Sequence, residues 1–121
     1  MKINILRKMI DFIIHSNDTN WGHTWHIVTT DGKGMISVEL ENEDKKRFYF
    51  YGLSVIPELR RKGVGTELLK VAEKLSIENG GNIFRLNVDK PYNDWLYDFY
   101  IKNGYEIHDE DEHEIYLVKY I

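Results

Sequence analysis

Cysteine is absent from this chain of 121 residues and proline occurs only twice. Without cysteine the chain forms no disulfides and no thiolate metal site, which is compatible with a reducing compartment. Near the N-terminus, Arg7, Lys8 and Asp11 interrupt each apolar stretch. We therefore expect neither a signal peptide nor a membrane span, and we expect a cytoplasmic protein.

The charge balance also excludes some partners. Twenty acidic and 16 basic residues give a net charge of −4, which argues against an overall electrostatic surface for nucleic acid or anionic lipid and favours a cationic partner. Hydrophobic residues make up 42% of the chain and aromatic residues 13%. This is enough for one core, so we predict a single domain over residues 1–121.

Apolar periodicity predicts the order of the elements. Helical spacing of isoleucines and leucines predicts an amphipathic helix over the first fifteen residues, ending near Ser16 and followed by a polar loop over Asn17–Asn20. An antiparallel meander comes next. The predicted strands are residues 24–30, 35–40, 47–55 and 83–88. The first predicted helix runs from Val64 to the glycine pair 80–81, and the second covers residues 94–104. A closing hairpin is predicted around the acidic turn 109–112. The two strands that flank the first of these helices should be parallel.

The segment LRRKGVGTELL places three cations directly before two glycines at the start of a helix. A helix start has backbone N–H groups without acceptors and favours an anion. Gly63 and Gly65 allow close approach to the backbone, and Arg60, Arg61 and Lys62 add positive charge. The segment therefore predicts a site for a diphosphate, with a tight turn carrying solvated cations as the alternative.

Two common phosphate motifs do not fit this segment. A P-loop has Lys-Ser/Thr after its last glycine, but here Thr66 and Glu67 follow. The dinucleotide fingerprint needs a third glycine, and Leu68 occupies that position.

The series LSVIPELRRKGVGTELL resembles the acetyl-CoA motif of the GNAT N-acetyltransferase superfamily, with Arg60, Gly63 and Gly65 at matching positions. Further along, NDWLYDFYIKNGYE is similar to a second signature of that family. There Asn93 precedes Tyr100 by seven residues on a helix that ends in a glycine and an aromatic residue. The resemblance covers roughly residues 48–121, and two signatures in order are more specific than either alone.

The resemblance implies a mixed α/β (α+β) fold with an antiparallel meander, a central parallel strand pair that splays apart, and a C-terminal hairpin. It implies acetyl-CoA as co-substrate and no metal. The pantetheine arm would bond to the strand backbone and to Asn93, the pyrophosphate would lie on the N–H groups of residues 61–66, and Tyr100 would protonate the departing thiolate. The implied cofactor-binding residues are Leu53, Ser54, Val55, Arg60, Arg61, Lys62, Gly63, Val64, Gly65, Thr66, Asn93 and Tyr100.

The acceptor implied by the resemblance is a primary amine that attacks the thioester directly. A protein lysine, an N-terminal amine and a polyamine-like small molecule all remain open. Many family members carry a Glu at the position of Tyr49, so the general base is unassigned, and Glu39 and Glu41 are candidates on the preceding strand.

Departures from the family pattern leave alternatives open. Only about 23 residues precede the extended segment, Leu96 replaces a small residue, and the loop before Asn93 is one residue longer. One alternative is a catalytically silent module that binds acyl-CoA or another protein. A second alternative is a domain whose cations bind RNA. His23 and His26 lack the spacing of a metal site and are predicted to pack, and a homodimer through an edge strand stays open.

Overall fold

The computed structural model of the chain describes residues 11–19, 22–44, 46–60, 62–90 and 94–121. In these residues seven strands form one sheet in the order β1-β2-β3-β4-β5-β7-β6. The elements are β1 Phe12–Thr19, β2 Gly22–Thr29, β3 Gly34–Asn42, β4 Arg47–Val55, α1 Val64–Glu78, β5 Ile83–Asp89, α2 Asp94–Lys102, β6 Glu106–Glu110 and β7 Glu114–Tyr120, with a 3-10 turn at Pro57–Leu59.

The predicted N-terminal helix is wrong where the structure describes it. Phe12–Thr19 is strand β1, paired antiparallel with β2 from Phe12↔Thr29 to Thr19↔Gly22, and residues 1–10 lie outside the described residues. The polar loop predicted from Asn17 is strand as far as Thr19. Apolar pairs such as Ile13 and Ile14 fit a helical stripe as well as a strand, and pairing with β2 decides between them.

The later elements confirm the predicted mixed fold. Strand β4, helix α1, strand β5, helix α2 and the closing hairpin all form near their predicted bounds. Strands β4 and β5 are parallel, and the other neighbouring pairs are antiparallel. The parallel crossover through α1 is therefore confirmed.

The two faces of the sheet differ in chemistry because side chains alternate along each strand. One face is apolar and forms a core with buried residues of α1 and α2. Its largest fully buried side chains include Phe48, Phe50 and Phe84. The opposite face carries polar and aromatic side chains, among them Glu39, Tyr49, Tyr51, Arg85 and Asn87, all partly buried. This second face is called the polar face below.

Among the described residues, no helix combines the length and the apolar character that a membrane span requires.

Candidate active site

The central strands β4 and β5 pair over only part of their length. Their parallel register consists of Arg47↔Ile83, Phe48↔Phe84 and Tyr49↔Arg85. Beyond this point β4 stays paired with β3 as far as Val55, and β5 stays paired with β7 as far as Asp89. A wedge therefore opens between the two strands after Tyr49, bordered on one side by the backbone of Leu53, Ser54 and Val55. The splay that the resemblance implied is present.

A bulge in β4 lies at the start of this wedge. Met35 pairs with Ser54 and Ser37 pairs with Tyr51, so two β4 residues, Gly52 and Leu53, oppose a single residue of β3. Gly52 has a φ of +67°, a conformation that costs little only for glycine. Bulges bend a strand and re-aim its side chains, and they are frequent beside active sites.

Helix α1 begins beside the wedge with a glycine-rich turn. Gly63 is the N-cap, with a φ of +85°, and its carbonyl accepts the first helical hydrogen bond from the N–H of Glu67 at 3.0 Å. The N–H groups of residues 64–66 have no acceptor within the helix, as at any helix start. No atom lies within 4 Å of the place where a Cβ of Gly63 would stand. The turn thus offers unpaired backbone donors to an anion.

A cavity of about 360 Å³ joins the end of β4, the start of α1 and one side of α2. Its lining residues are Val55, Arg60, Gly63, Gly65, Thr66, Trp95 and Phe99. All of these except Trp95 and Phe99 were predicted to bind the cofactor. Residues predicted from separate parts of the segment 53–66 therefore face one space.

Arg60 is held at this cavity by two contacts. Its Nε donates a hydrogen bond to the carbonyl of Val55 at 3.1 Å, and its guanidinium lies 5.3 Å from the centroid of the Trp95 ring. Cation–π contact and the carbonyl bond fix the side chain in one orientation. The terminal guanidinium nitrogens make no other hydrogen bond with the described residues, so they are available to an anion.

The other predicted residues divide into three groups. Lys62 is exposed, and its N–H donates to the carbonyl of Leu59 at 3.3 Å, so that N–H is already used. The Val64 side chain is buried in the core, which leaves only its backbone for a ligand. Arg61 and Asn93 lie outside the described residues.

Tyr100 lies in the hydrophobic core and does not line the cavity. Its side chain is 3% exposed, and its ring makes edge contacts with Phe99 and Tyr105 at centroid distances of 5.3 and 5.6 Å. Burial raises the pKa of Tyr100 well above its usual value, and the nearby Tyr49 adds to the increase. The phenol therefore stays protonated at neutral pH and can donate a proton, but it is a weaker acid than a free tyrosine.

Trp95 and Phe99 were not predicted as lining residues. They lie four residues apart on α2, the spacing that puts two side chains on one helix face. Phe99 lies beside Gly65, because a Cβ added to that glycine would be 3.6 Å from Phe99 Cζ. The spacing was visible in the sequence, but the face of α2 that meets the glycine turn was not.

The two histidines of β2 point to opposite faces of the sheet. His23 packs on Trp25 with ring centroids 4.0 Å apart, and its Nε2 is 2.7 Å from Ser16 Oγ. His26 Nδ1 is 2.8 Å from Ser37 Oγ. No three acidic or histidine side chains converge as a metal site in the described ranges.

Comparison with known proteins identifies the family of this chain. The sequence profile of the acetyltransferase (GNAT) family matches residues 7–105. The chain belongs to the GNAT family. No curated protein matches it significantly.

Several solved structures share the fold. PaiA N-acetyltransferase from Thermoplasma acidophilum, in complex with coenzyme A, is 26% identical with a TM-score of 0.70, and the match covers 81% of this chain and 60% of that one. Nourseothricin acetyltransferase is 18% identical with a TM-score of 0.71, covering 92% and 85%. A GNAT family acetyltransferase from Elizabethkingia anophelis with acetyl-CoA bound is 13% identical with a TM-score of 0.68, covering 92% and 99%. The chain thus spans less than two thirds of the PaiA protein.

Proposed function

We propose that the protein is an N-acetyltransferase that moves the acetyl group of acetyl-CoA to a primary amine by direct attack. The observation that carries this proposal is the wedge between β4 and β5, which opens after Tyr49 and Arg85 and leads to the glycine turn of α1. Membership of the GNAT family supports acyl transfer as the class of reaction. Related folds bind coenzyme A or acetyl-CoA.

The proposed cofactor pose follows the wedge. The pantetheine arm would lie along β4 and bond to the backbone of Leu53, Ser54 and Val55, and by resemblance to Asn93. The pyrophosphate would lie at the start of α1 on the N–H groups of residues 64–66, next to the guanidinium of Arg60. Arg61 and Lys62 would add positive charge at this point. The partial positive charge of the helix start and the cation act on the same anion.

The proposed chemistry needs positioning more than activation. A thioester is already reactive toward a neutral amine, so holding the two groups in contact supplies much of the rate. A strand N–H near Val55 would stabilise the developing oxyanion. Tyr100 would give its proton to the sulfur as the C–S bond breaks, and its burial keeps that proton in place at neutral pH.

A second candidate is an acyl-CoA-binding module without turnover. The observation that favours it is Tyr49, which stands where many GNAT enzymes have a carboxylate. This alternative predicts the same cofactor site and no acceptor chemistry.

A thermal shift with acetyl-CoA tests the shared part of both candidates. A ligand that binds only the native state raises apparent stability by mass action, by about 2.7 kcal/mol at one hundred times its dissociation constant. No shift at millimolar acetyl-CoA would remove both candidates.

Release of CoA thiol in the presence of different amines then separates the two candidates. The amines are a lysine-containing peptide, a peptide with a free N-terminus, and spermidine. Turnover on any of these supports the enzyme, and binding without turnover on all of them supports the module.

Replacing Tyr100 with Phe tests the proposed acid. We expect turnover to fall about 10- to 100-fold, because the thiolate would leave without a positioned proton donor. Affinity for acetyl-CoA should stay nearly unchanged. Tyr105→Phe is the matched control, because it removes a second buried phenol whose hydroxyl donates to Glu73 at 2.8 Å. Equal turnover by Tyr100→Phe and the wild type would reject the role of Tyr100 alone.

A further inference from the structure

The missing carboxylate at position 49 leaves the proposed reaction without an assigned base. Tyr49 does not replace that carboxylate. Its ring lies under the guanidinium of Arg85 at 4.6 Å and stacks on Tyr51 with ring centroids 5.5 Å apart. Burial raises the pKa of the Tyr49 phenol, although Arg85 opposes the shift. A phenol that keeps its proton at neutral pH cannot take one from an ammonium group.

The neighbouring strand places a carboxylate next to this position. Glu39 of β3 pairs directly with Tyr49 of β4, so both side chains stand on the polar face. Directly opposed residues have Cβ atoms about 4.5–5.5 Å apart. Tyr49 is also the last residue of β4 that pairs with β5. Glu39 therefore stands beside residue 49, at the start of the wedge.

The other carboxylates near Tyr49 are already engaged. Glu41 accepts hydrogen bonds from Arg85 Nε at 2.6 and 2.8 Å, and Arg47 Nε lies 2.7 Å from it. Glu114, on β7 across the wedge, shares the single proton of the Tyr116 hydroxyl with Asp111, at distances of 3.2 and 2.8 Å respectively. Within the described ranges, the Glu39 carboxylate forms no hydrogen bond or ion pair.

The histidines of the same face, His26 and the directly opposed His15 of β1, are too far from the wedge. His26 lies on β2, two strands from β4, which is about 10 Å at the usual strand spacing. Its Nδ1 is already within hydrogen-bond distance of Ser37 Oγ. Glu39 is therefore a carboxylate directly opposite Tyr49 that has no competing partner among the described residues.

We propose that Glu39 is the general base of the reaction and contacts the acceptor amine on the polar face beside Tyr49. This inference rests on the proposed acetyl transfer. In this protein the base has moved from the β4 position used by many family members to the opposed residue of β3.

The proton and electron balance of the step is complete. The Glu39 carboxylate takes one proton from the acceptor ammonium, and the freed nitrogen lone pair forms the N–C bond to the thioester carbonyl. The C–S bond breaks, its electron pair stays on sulfur, and the sulfur takes the proton of Tyr100. The amide nitrogen loses its second proton, which restores the Tyr100 phenol. Glu39 then releases its proton to water, so the products are one amide, one CoA thiol and one proton.

The charged and titratable groups around Glu39 lie on five strands. These groups are His26 on β2, Glu41 on β3, Tyr49 and Tyr51 on β4, and Arg85 on β5, with Glu114 of β7 close to Tyr49. Arg85 interacts electrostatically with Glu39, but its hydrogen bonds go to Glu41 and Asn87. Glu39 therefore stays open to a cationic acceptor.

Steady-state kinetics of Glu39→Gln test this proposal with the amine that gives the highest turnover. We expect kcat/KM at pH 7 to fall about 10²- to 10³-fold, with unchanged affinity for acetyl-CoA. The ratio of wild-type to variant activity should shrink as the pH rises toward about 9.5, because bulk solution then supplies more neutral amine. A structural role would not produce this pH dependence. The matched control is Glu114→Gln, which removes a carboxylate on the other side of the wedge and should change kcat/KM less than about twofold.

Moving the carboxylate back to β4 gives a second readout. The double variant Glu39→Gln, Tyr49→Glu should recover about tenfold or more of the lost activity, because the new carboxylate stands beside the same space. The proposal is overturned if Glu39→Gln keeps wild-type activity, if its loss is equal at all pH values, if Glu114→Gln loses as much, or if the double variant with intact cofactor affinity recovers nothing. A wild-type protein that acetylates none of the amines contradicts the proposed function itself, and the two failures are thereby distinguished.

Discussion

The two ends of the β4–β5 pair are built from the same strands in opposite ways. At the paired end, Arg47↔Ile83 to Tyr49↔Arg85 form a regular parallel ladder. Phe48 is fully buried there, and Glu41 lies between the guanidinium groups of Arg47 and Arg85. At the open end, the ladder is absent and a bulge and a glycine-rich helix start replace it.

This difference shows how one small sheet separates stability from binding. The paired end uses large buried side chains and ion pairs, so changes there should lower the free energy of unfolding. The open end leaves backbone donors and acceptors of β4 and α1 without partners from β5, which favours a ligand that supplies the missing bonds. Variants at the two ends test this division, beginning with the change that should destabilise the protein most.

Gly81→Ala at the paired end should destabilise the protein most, by about 3 kcal/mol or more. A Cβ at Gly81 would lie 2.6 Å from Phe48 Cδ1 and 2.8 Å from the carbonyl of Ser76, and neither the buried ring nor the backbone can move freely. Urea denaturation measures the effect. The control at the open end is Gly63→Ala, which meets no atom within 4 Å and strains only a φ of +85°, at a cost of about 1 kcal/mol. Equal losses in the two variants would contradict the division.

Glu41→Gln should lower the free energy of unfolding by about 1–3 kcal/mol. Two guanidinium groups would then face each other without the carboxylate that now lies between them, and the side chain of Glu41 is only 19% exposed. Urea denaturation at low and high salt would measure the loss. Glu43→Gln is the control, because Glu43 lies in the exposed turn after β3. A loss no larger than in this control would show that the ion pairs of Glu41 do not stabilise the paired end.

Gly65→Leu at the open end should weaken acetyl-CoA binding about tenfold or more while leaving stability within about 1 kcal/mol of the wild type. A Cβ at Gly65 would touch Phe99 at 3.6 Å without a clash, so the remaining side-chain atoms would enter the cavity. Calorimetric titration with acetyl-CoA measures the affinity. Gly65→Ala is the matched control and should bind nearly normally. Unchanged affinity in Gly65→Leu would place the cofactor elsewhere.

Alkaline pH should produce the smallest effect. Burial raises the pKa of Tyr100 and, together with Glu73, the pKa of Tyr105 well above their usual values. A raised pKa in the folded state means that the stability contributed by these phenols is fully present below about pH 10, the unfolded value, and is lost as the pH rises further. Urea denaturation at several pH values checks this. Tyr105→Phe should flatten the alkaline decline, and an unchanged slope would argue against it.

The predictable part of this fold is the part set by local patterns. Strand β4, helix α1 and the glycine turn follow from apolar periodicity and from residues adjacent in sequence, so they were predicted close to their observed bounds. Strand β1 was not, because Ile13 and Ile14 fit two periodicities and only pairing with β2 selects the strand.

The candidate site was predictable only where its residues are close in sequence. The residues of the segment 53–66 that line the cavity were named from the motif. Trp95 and Phe99 were missed because their contact with the glycine turn depends on how α2 packs. The nearness of Glu39 to Tyr49 depends on the register of β3 against β4. A local sequence pattern determines neither the packing of α2 nor the register of β3 against β4.

Backbone amide NMR spectra recorded during titration with acetyl-CoA report directly which end of the β4–β5 pair binds the cofactor. We expect the amides of Leu53, Ser54 and Val55 and of residues 62–66 to shift on binding, while those of Phe48 and Phe84 at the paired end stay nearly unchanged. Saturating acetyl-CoA that leaves the open end unchanged, or that shifts the paired end instead, would contradict this expectation.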